Sequence, residues 1–207
     1  MVTSQPQQVS VLVYGPDLKE KLFFFISGIL GSVPLTLFIS QFANPFLASL
    51  PDFYATLVAA VVLAPFLEEF SKAFPLFYRH GETIKAIITL GILVGLGFGI
   101  FEFLTYVIVL DVPVLARLPG IFFHSASTSI TAYGIATNRT LPFYLIAVGL
   151  HASNNLFAEF AHLSLDSTGQ SGPWVIGEVA ATLTAIFLSM HLYNKVSTWK
   201  TAAVKDP

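Results

Sequence analysis

Long apolar stretches separated by short polar segments dominate the chain. Six of these stretches reach the length of about 20 mostly apolar residues that a helix needs to cross a bilayer. They cover approximately residues 22–42, 54–78, 86–110, 118–137, 141–163 and 174–194. The pattern predicts an all-α, polytopic transmembrane bundle of about six spans. Because no linker, internal repeat or low-complexity tract divides the chain, we expect residues 1–207 to form a single integral membrane domain.

The composition agrees with a membrane protein and excludes several soluble classes. Hydrophobic residues make up 55% of the 207 residues and charged residues only 11%, whereas a soluble domain carries about 25% charged residues. Ten Lys and Arg against twelve Asp and Glu leave no basic surface to neutralise nucleic-acid phosphates. The absence of cysteine excludes disulfides, thiolate metal sites and a cysteine nucleophile.

The positive charges outside the spans fall almost entirely on one side of the predicted membrane. Eight of the nine lie in the terminal segments or in alternate loops, namely Lys19, Lys21, Arg79, Lys85, Arg139, Lys195, Lys200 and Lys205. Only Arg117 lies on the opposite side. The positive-inside rule therefore places both termini in the cytoplasm, in a multi-pass protein of the cell membrane.

Several polar side chains nevertheless fall inside the predicted spans. The second span contains Glu68, Glu69 and Lys72, the third Glu102, the fourth His124, and the fifth His151 and Asn155. An ionised side chain at the bilayer centre costs at least about 2.5–3.5 kcal/mol, so these groups are expected to face the interior of the bundle. The helical rise counted from the flanking basic residues puts one polar side chain of each of these four spans at a similar depth, roughly 15 to 26 Å from the cytoplasmic edge. We therefore expect one site, within a core of about residues 54–163.

Helical spacing makes three local predictions. Glu68 and Lys72 are four residues apart and are expected to pair on one face, which leaves Glu69, about 100° away, as the freer carboxylate. His151 and Asn155 share a face by the same spacing. A row of glycines at 91, 95 and 99 is expected to let a neighbouring helix approach the third span closely.

The clustered residue types suit two kinds of hydrolytic chemistry, which the sequence leaves open. Two imidazoles and a carboxylate could bind Zn²⁺. They could equally hold a water directly, with a glutamate as general base and His or Asn stabilising the oxyanion. Buried aspartyl dyads, His-Glu-x-x-His zinc helices and Gly-x-Ser-x-Gly elbows are absent from the sequence. The alternative class is a non-catalytic scaffold, or a small ion or proton carrier using the same cluster.

The order of these motifs resembles that of a known family. Glu68-Glu69-x-x-Lys72, Phe98-x-x-x-Glu102, His124 and His151-x-x-x-Asn155 occur one per helix, as in the PrsW family. That family belongs to a superfamily with the CAAX prenyl proteases and the bacterial Abi proteins. The resemblance covers residues from about 60 to 157. At position 102 the prenyl proteases carry histidine, whereas this chain carries glutamate, as PrsW proteins do.

The resemblance implies a peptidase that cleaves membrane-anchored proteins, such as anti-sigma factors, within or next to the membrane. By position, Glu68 and Glu69 would supply the water-activating carboxylate, with no choice between them. Glu102, His124 and His151 would complete the site, and they would be the ligands if a metal such as Zn²⁺ is used; otherwise no cofactor is implied. Asn155 would stabilise the oxyanion, with Lys72 and Phe98 in supporting positions. The implied partners are a membrane-anchored protein or peptide substrate and the lipid bilayer.

Overall fold

Every described element of regular structure is helical. The computed structural model describes residues 15–78, 83–169 and 171–203. Within them lie six helices: α1 Leu18–Leu47, α2 Asp52–Phe77, α3 Ile84–Val109, α4 Val114–Ala136, α5 Thr140–Thr168 and α6 Gly172–Ala203. No strand occurs in these described ranges. The all-α transmembrane class predicted from the sequence is confirmed.

The helices coincide with the six predicted stretches, but they are not equally apolar. Among the described residues, α1, α2, α3 and the Gly172–Val196 part of α6 are long and apolar enough to cross a membrane. Helices α4 and α5 have 23 and 29 residues, which is also sufficient length. Their histidine, asparagine, serine and threonine residues lower their hydropathy. The crossing number of six and the cytoplasmic termini therefore stay predictions.

Two helices are widened by π-helical turns that end two residues before a proline. In α1 the turn is Gly28–Ser32, before Pro34, and in α2 it is Val58–Leu63, before Pro65. Proline has no N–H, and its ring collides with the carbonyl one turn back, so the preceding turn opens. Such turns expose backbone carbonyls that other groups must satisfy, because lipid offers no hydrogen bond.

Helix α3 is the central element, and its glycines set how closely its neighbours approach. A Cβ added at Gly95 would overlap the carbonyl oxygen of His124, and one at Gly99 would lie 2.9 Å from the Cα of Ile121, both on α4. On the other side of α3, Gly97 meets the backbone of α1 at Phe25. The close approach predicted from the glycine row is confirmed, and it carries His124 directly against α3.

The outer surface of the bundle is strongly apolar. Leu115 is 83% exposed, and Phe42 and Ile108 are each 73% exposed. Such a surface is unfavourable in water but matches hydrocarbon. Glu69, Lys72, His124 and His151 are instead buried in the bundle, as the cost of placing charge in lipid requires.

Candidate active site

Four helices bring polar side chains together in the interior of the bundle. Helix α2 contributes Glu68, Glu69 and Lys72, α3 contributes Glu102, α4 contributes His124 and Ser127, and α5 contributes His151 and Asn155. The spacing within each helix puts these residues on its inward face. One cluster therefore contains all six polar residues predicted for catalysis.

Glu69 is the most heavily bonded carboxylate of this cluster. Its Oε1 accepts hydrogen bonds from Lys72 Nζ at 2.7 Å, Ser127 Oγ at 3.0 Å and His151 Nδ1 at 2.9 Å. Glu69, Lys72 and Ser127 are completely buried. This oxygen holds α2, α4 and α5 together, and its three donors stabilise the ionised form of Glu69.

The predicted ion pair between Glu68 and Lys72 is wrong. Lys72 instead pairs with Glu69, three residues before it. Both spacings are geometrically available on a helix, and the neighbouring helix decides between them. Lys72 points toward α4, where His124 Nδ1 lies 2.9 Å and Ser127 Oγ 3.5 Å from its Nζ. Glu68 is thereby left as the carboxylate without a cationic lysine partner.

The contact with Lys72 assigns the tautomer of His124. A lysine ammonium group has only donors, so Nδ1 of His124 accepts the hydrogen bond. Its Nε2 then carries the proton and donates to Glu102 Oε2 at 2.5 Å. Phe98 packs beside Lys72 and His124. Its ring centroid lies 5.0 Å from Lys72 Nζ and 5.1 Å from the centroid of the His124 ring. Lys72 and Phe98, the predicted supporting residues, thus both contact His124 or its partner.

Arg117 extends the network beyond what the sequence predicted. Its Nη2 donates to Glu102 Oε1 at 2.9 Å, and its guanidinium lies 3.7 Å from the ring centroid of Tyr106. From the sequence, Arg117 was expected only to be the one positive charge on the non-cytoplasmic side of the membrane. Its position seven residues before His124 was an available signal, because two helical turns bring a side chain back to the same face.

His151 and Glu68 still have bonding capacity, as does the second carboxylate oxygen of Glu69. Because Nδ1 of His151 donates to Glu69, the neutral ring has a free lone pair on Nε2. This nitrogen lies 3.7 Å from Glu68 Oε2. That oxygen is buried and has no hydrogen-bond partner among the described residues. An unsatisfied buried carboxylate oxygen is costly, so this position is suited to a water or a metal ion.

The same atoms fit a zinc site. Ligand atoms of Glu68, His124 and His151 lie within 4.8 Å of one another, and two histidines with one glutamate are a common catalytic zinc set. The contact between Glu69 and Nδ1 of His151 is the carboxylate support that zinc-binding histidines usually have. The predicted carboxylate ligand, Glu102, is outside this group and binds Arg117 and His124 instead. His124 would have to exchange one of its present hydrogen bonds to become a ligand.

A small polar cavity borders the cluster. Its volume is about 20 Å³, which on this measure is room for one water. Glu102, Arg117, His124, His151 and Asn155 are among its lining residues. Asn155 donates one Nδ2 hydrogen to the carbonyl of Ala60 at 2.8 Å, so its second Nδ2 hydrogen remains for another acceptor.

Comparison with known proteins agrees with this geometry. Residues 18–189 match the PrsW family of intramembrane metalloproteases, a range that includes α1 to α5 and most of α6. No curated protein and no solved structure gives a match. The match covers far more than half of the chain and contains every residue of the buried cluster. The chain therefore belongs to the PrsW family of intramembrane metalloproteases.

Proposed function

We propose that this protease is an endopeptidase of the cell membrane that cleaves membrane-anchored proteins, of which anti-sigma factors are an example, within or beside the bilayer. The observation that carries the proposal is the pair formed by Glu68 Oε2 and His151 Nε2. Both atoms are acceptors with free capacity and lie 3.7 Å apart, and His151 lines the polar cavity. A water between them can donate one hydrogen to each.

Glu68 is the general base in this proposal, and Glu69 is a positioning residue. A base must take up a proton, and three donors on one oxygen oppose protonation of Glu69. Glu68 has no such set of donors, and its side chain is 16% exposed. Glu69 instead orients His151 and anchors Lys72, which in turn holds His124.

The hydrolytic step can be written with these groups. The water oxygen attacks the carbonyl carbon of the peptide bond while Glu68 accepts a proton from the water. The negative charge that develops on the carbonyl oxygen is stabilised by the second Nδ2 hydrogen of Asn155. As the carbon–nitrogen bond breaks, Glu68 returns its proton to the departing amine, which leaves a carboxylic acid and an amine as products.

The metal-dependent form of this proposal uses the same residues. Glu68, His124 and His151 would hold Zn²⁺, which when bound polarises the scissile carbonyl and activates water. Glu69 would keep His151 oriented, and Glu102 would be released from His124 while remaining paired with Arg117.

The proposal is tested with the purified full-length protein and a library of single-span transmembrane peptides. The wild type is expected to cleave peptides, and Glu68→Gln and His151→Ala to lower the rate by about 10²–10⁴-fold. Glu159→Gln is the matched control and should retain the wild-type rate. It changes a carboxylate on α5 about two helical turns after His151. Full activity of both site variants would refute the assigned roles. Ion flux across the membrane of vesicles that contain the protein, without any peptide cleavage, would favour the alternative function as an ion or proton carrier.

Metal dependence is measured separately from activity. If the cluster binds Zn²⁺, added Zn²⁺ raises the melting temperature of chelator-treated protein, because a ligand of the folded state stabilises it. The shift should be absent in His151→Ala. Unchanged melting together with chelator-resistant cleavage would support the glutamate-bound water.

A further inference from the structure

A second and much larger cavity lies between α4 and α6. Its volume is about 440 Å³, which is within the range of about 300–1,000 Å³ typical of ligand sites. Its walls are almost wholly apolar, with Leu118 and Phe122 from α4 and Val179 and Leu183 from α6. These four side chains are also between 39% and 55% exposed. The cavity is thus a groove open at the outer surface of the bundle.

The groove adjoins the polar cavity of the proposed catalytic cluster. Ala116, Pro119, Glu178 and Thr182 line both. The apolar side chains of the groove face the outside of the bundle, and the four shared residues separate it from the cavity that His124 and His151 line. A molecule bound in the groove therefore lies next to the proposed site of hydrolysis.

The α6 wall of the groove is held in place relative to His151. Asn154, three residues after His151, donates from Nδ2 to the carbonyl of Glu178 at 3.2 Å and to Thr182 Oγ1 at 3.1 Å. Both acceptor residues line the two cavities. The distance from the catalytic histidine to the groove is set by these bonds.

We propose that this groove, the α4–α6 groove, binds a large apolar side chain of the substrate next to the scissile bond and thereby sets specificity. The inference rests on the proposed endopeptidase function. The occupant must combine an apolar part, which the walls require, with a peptide bond that reaches the polar end. An apolar transmembrane segment of a protein meets both requirements. A lipid acyl chain fills only the apolar part.

The first test changes the size of the groove. Val179→Trp narrows it and Leu183→Ala widens it, whereas Ile176→Trp is the control, since Ile176 is 71% exposed and lies outside the lining. One methylene in an apolar pocket is worth about 10–200-fold in discrimination. At one peptide position, Val179→Trp should therefore shift the preference from large to small apolar side chains by at least about tenfold. Leu183→Ala should shift it in the opposite direction. Equal effects on all peptides would overturn the proposal.

The second test does not depend on catalysis. Because the chain has no cysteine, Val179→Cys in a Glu68→Gln background gives a single thiol in the groove. Peptides carrying one cysteine at successive positions should form a disulfide with it under mild oxidation at one position only, and Ile176→Cys should not show this selectivity. Cross-linking at one position without wild-type cleavage would refute the endopeptidase function and leave the groove as a binding site for apolar peptides. Protection of Val179→Cys from a thiol reagent by phospholipid alone, with no peptide disulfide, would overturn the proposal.

Discussion

At the scale of single residues, two adjacent carboxylates have opposite surroundings. Glu69 is completely buried, and its Oε1 accepts from three donors. The Oε2 atoms of both glutamates have no hydrogen-bond partner among the described residues, and that of Glu68 lies 3.7 Å from Nε2 of His151. The first arrangement holds a structure together, and the second leaves an oxygen free to act on water.

Matched glutamine variants separate these two roles. Glu68→Gln should lower cleavage by about 10²–10⁴-fold with little change in melting temperature, because Glu68 forms no ion pair with Lys72. Glu69→Gln should lower the free energy of unfolding by about 3–5 kcal/mol, because it leaves Lys72 buried without its anion. Thermal and denaturant unfolding in detergent, together with cleavage rates, measure both effects.

A double variant is the control for this prediction. Glu69→Gln combined with Lys72→Met removes the buried charge as well as its partner, and should recover part of the lost stability. Equal stability of the two glutamine variants, with equal loss of cleavage, would contradict the division of roles.

At the scale of elements, the π-helical turn in α2 determines a contact of Asn155. Ala64 N–H donates to Ala59 O in this turn. In the same register, the next N–H would bond to Ala60 O, but Pro65 has none. The Asn155 amide of α5 donates to that carbonyl instead. The residue predicted to stabilise the oxyanion therefore also joins α5 to α2.

This contact predicts coupling between Pro65 and Asn155. Asn155→Ala leaves the Ala60 carbonyl unsatisfied and should cost about 1–3 kcal/mol of stability. In a Pro65→Ala background the new N–H can bond within α2, so the cost of Asn155→Ala should be smaller. A double-mutant cycle of unfolding free energies measures the difference. The same cost in both backgrounds would show that Asn155 does not compensate for the proline.

The glycine contact between α3 and α4 is tested by adding one methyl group. Gly95→Ala should displace α4 at His124, lower stability by about 1–3 kcal/mol and reduce cleavage. Gly149→Ala is the matched control, because a Cβ there has no atom within 4 Å, and it should be neutral or slightly stabilising. A Gly95→Ala protein with wild-type melting and activity would refute the role of this contact.

At the scale of the whole molecule, the buried site accounts for the uneven hydropathy of the six helices. Helices α4 and α5 contain both site histidines and turn His124 and His151 toward the interior of the bundle, where polar side chains find partners. Buried Thr128 and Ser129, for example, bond to carbonyls of α4 itself. Span detection by apolarity alone therefore misses the two helices that contain His124 and His151.

Single-cysteine variants test the predicted membrane orientation. Asp52→Cys and Gly172→Cys, at the starts of α2 and α6, should react with a membrane-impermeant maleimide on intact cells. Leu18→Cys and Asn194→Cys, near the two ends of the bundle, should react only after permeabilisation, because the positive charges place both termini inside. Labelling of Leu18→Cys but not Asn194→Cys on intact cells, or the reverse, would contradict an even number of crossings.

The sequence by itself determined the helical class, the helix positions, the close approach along the glycine row and the residues of the polar cluster. These properties follow from local periodicity and from the cost of charge in lipid, and both depend only on the order of residues within each helix. The partner of Lys72, the free oxygen of Glu68, the inclusion of Arg117 and the α4–α6 groove were decided only by the tertiary structure. Each of them depends on which face of one helix meets another, and helical spacing leaves that choice open.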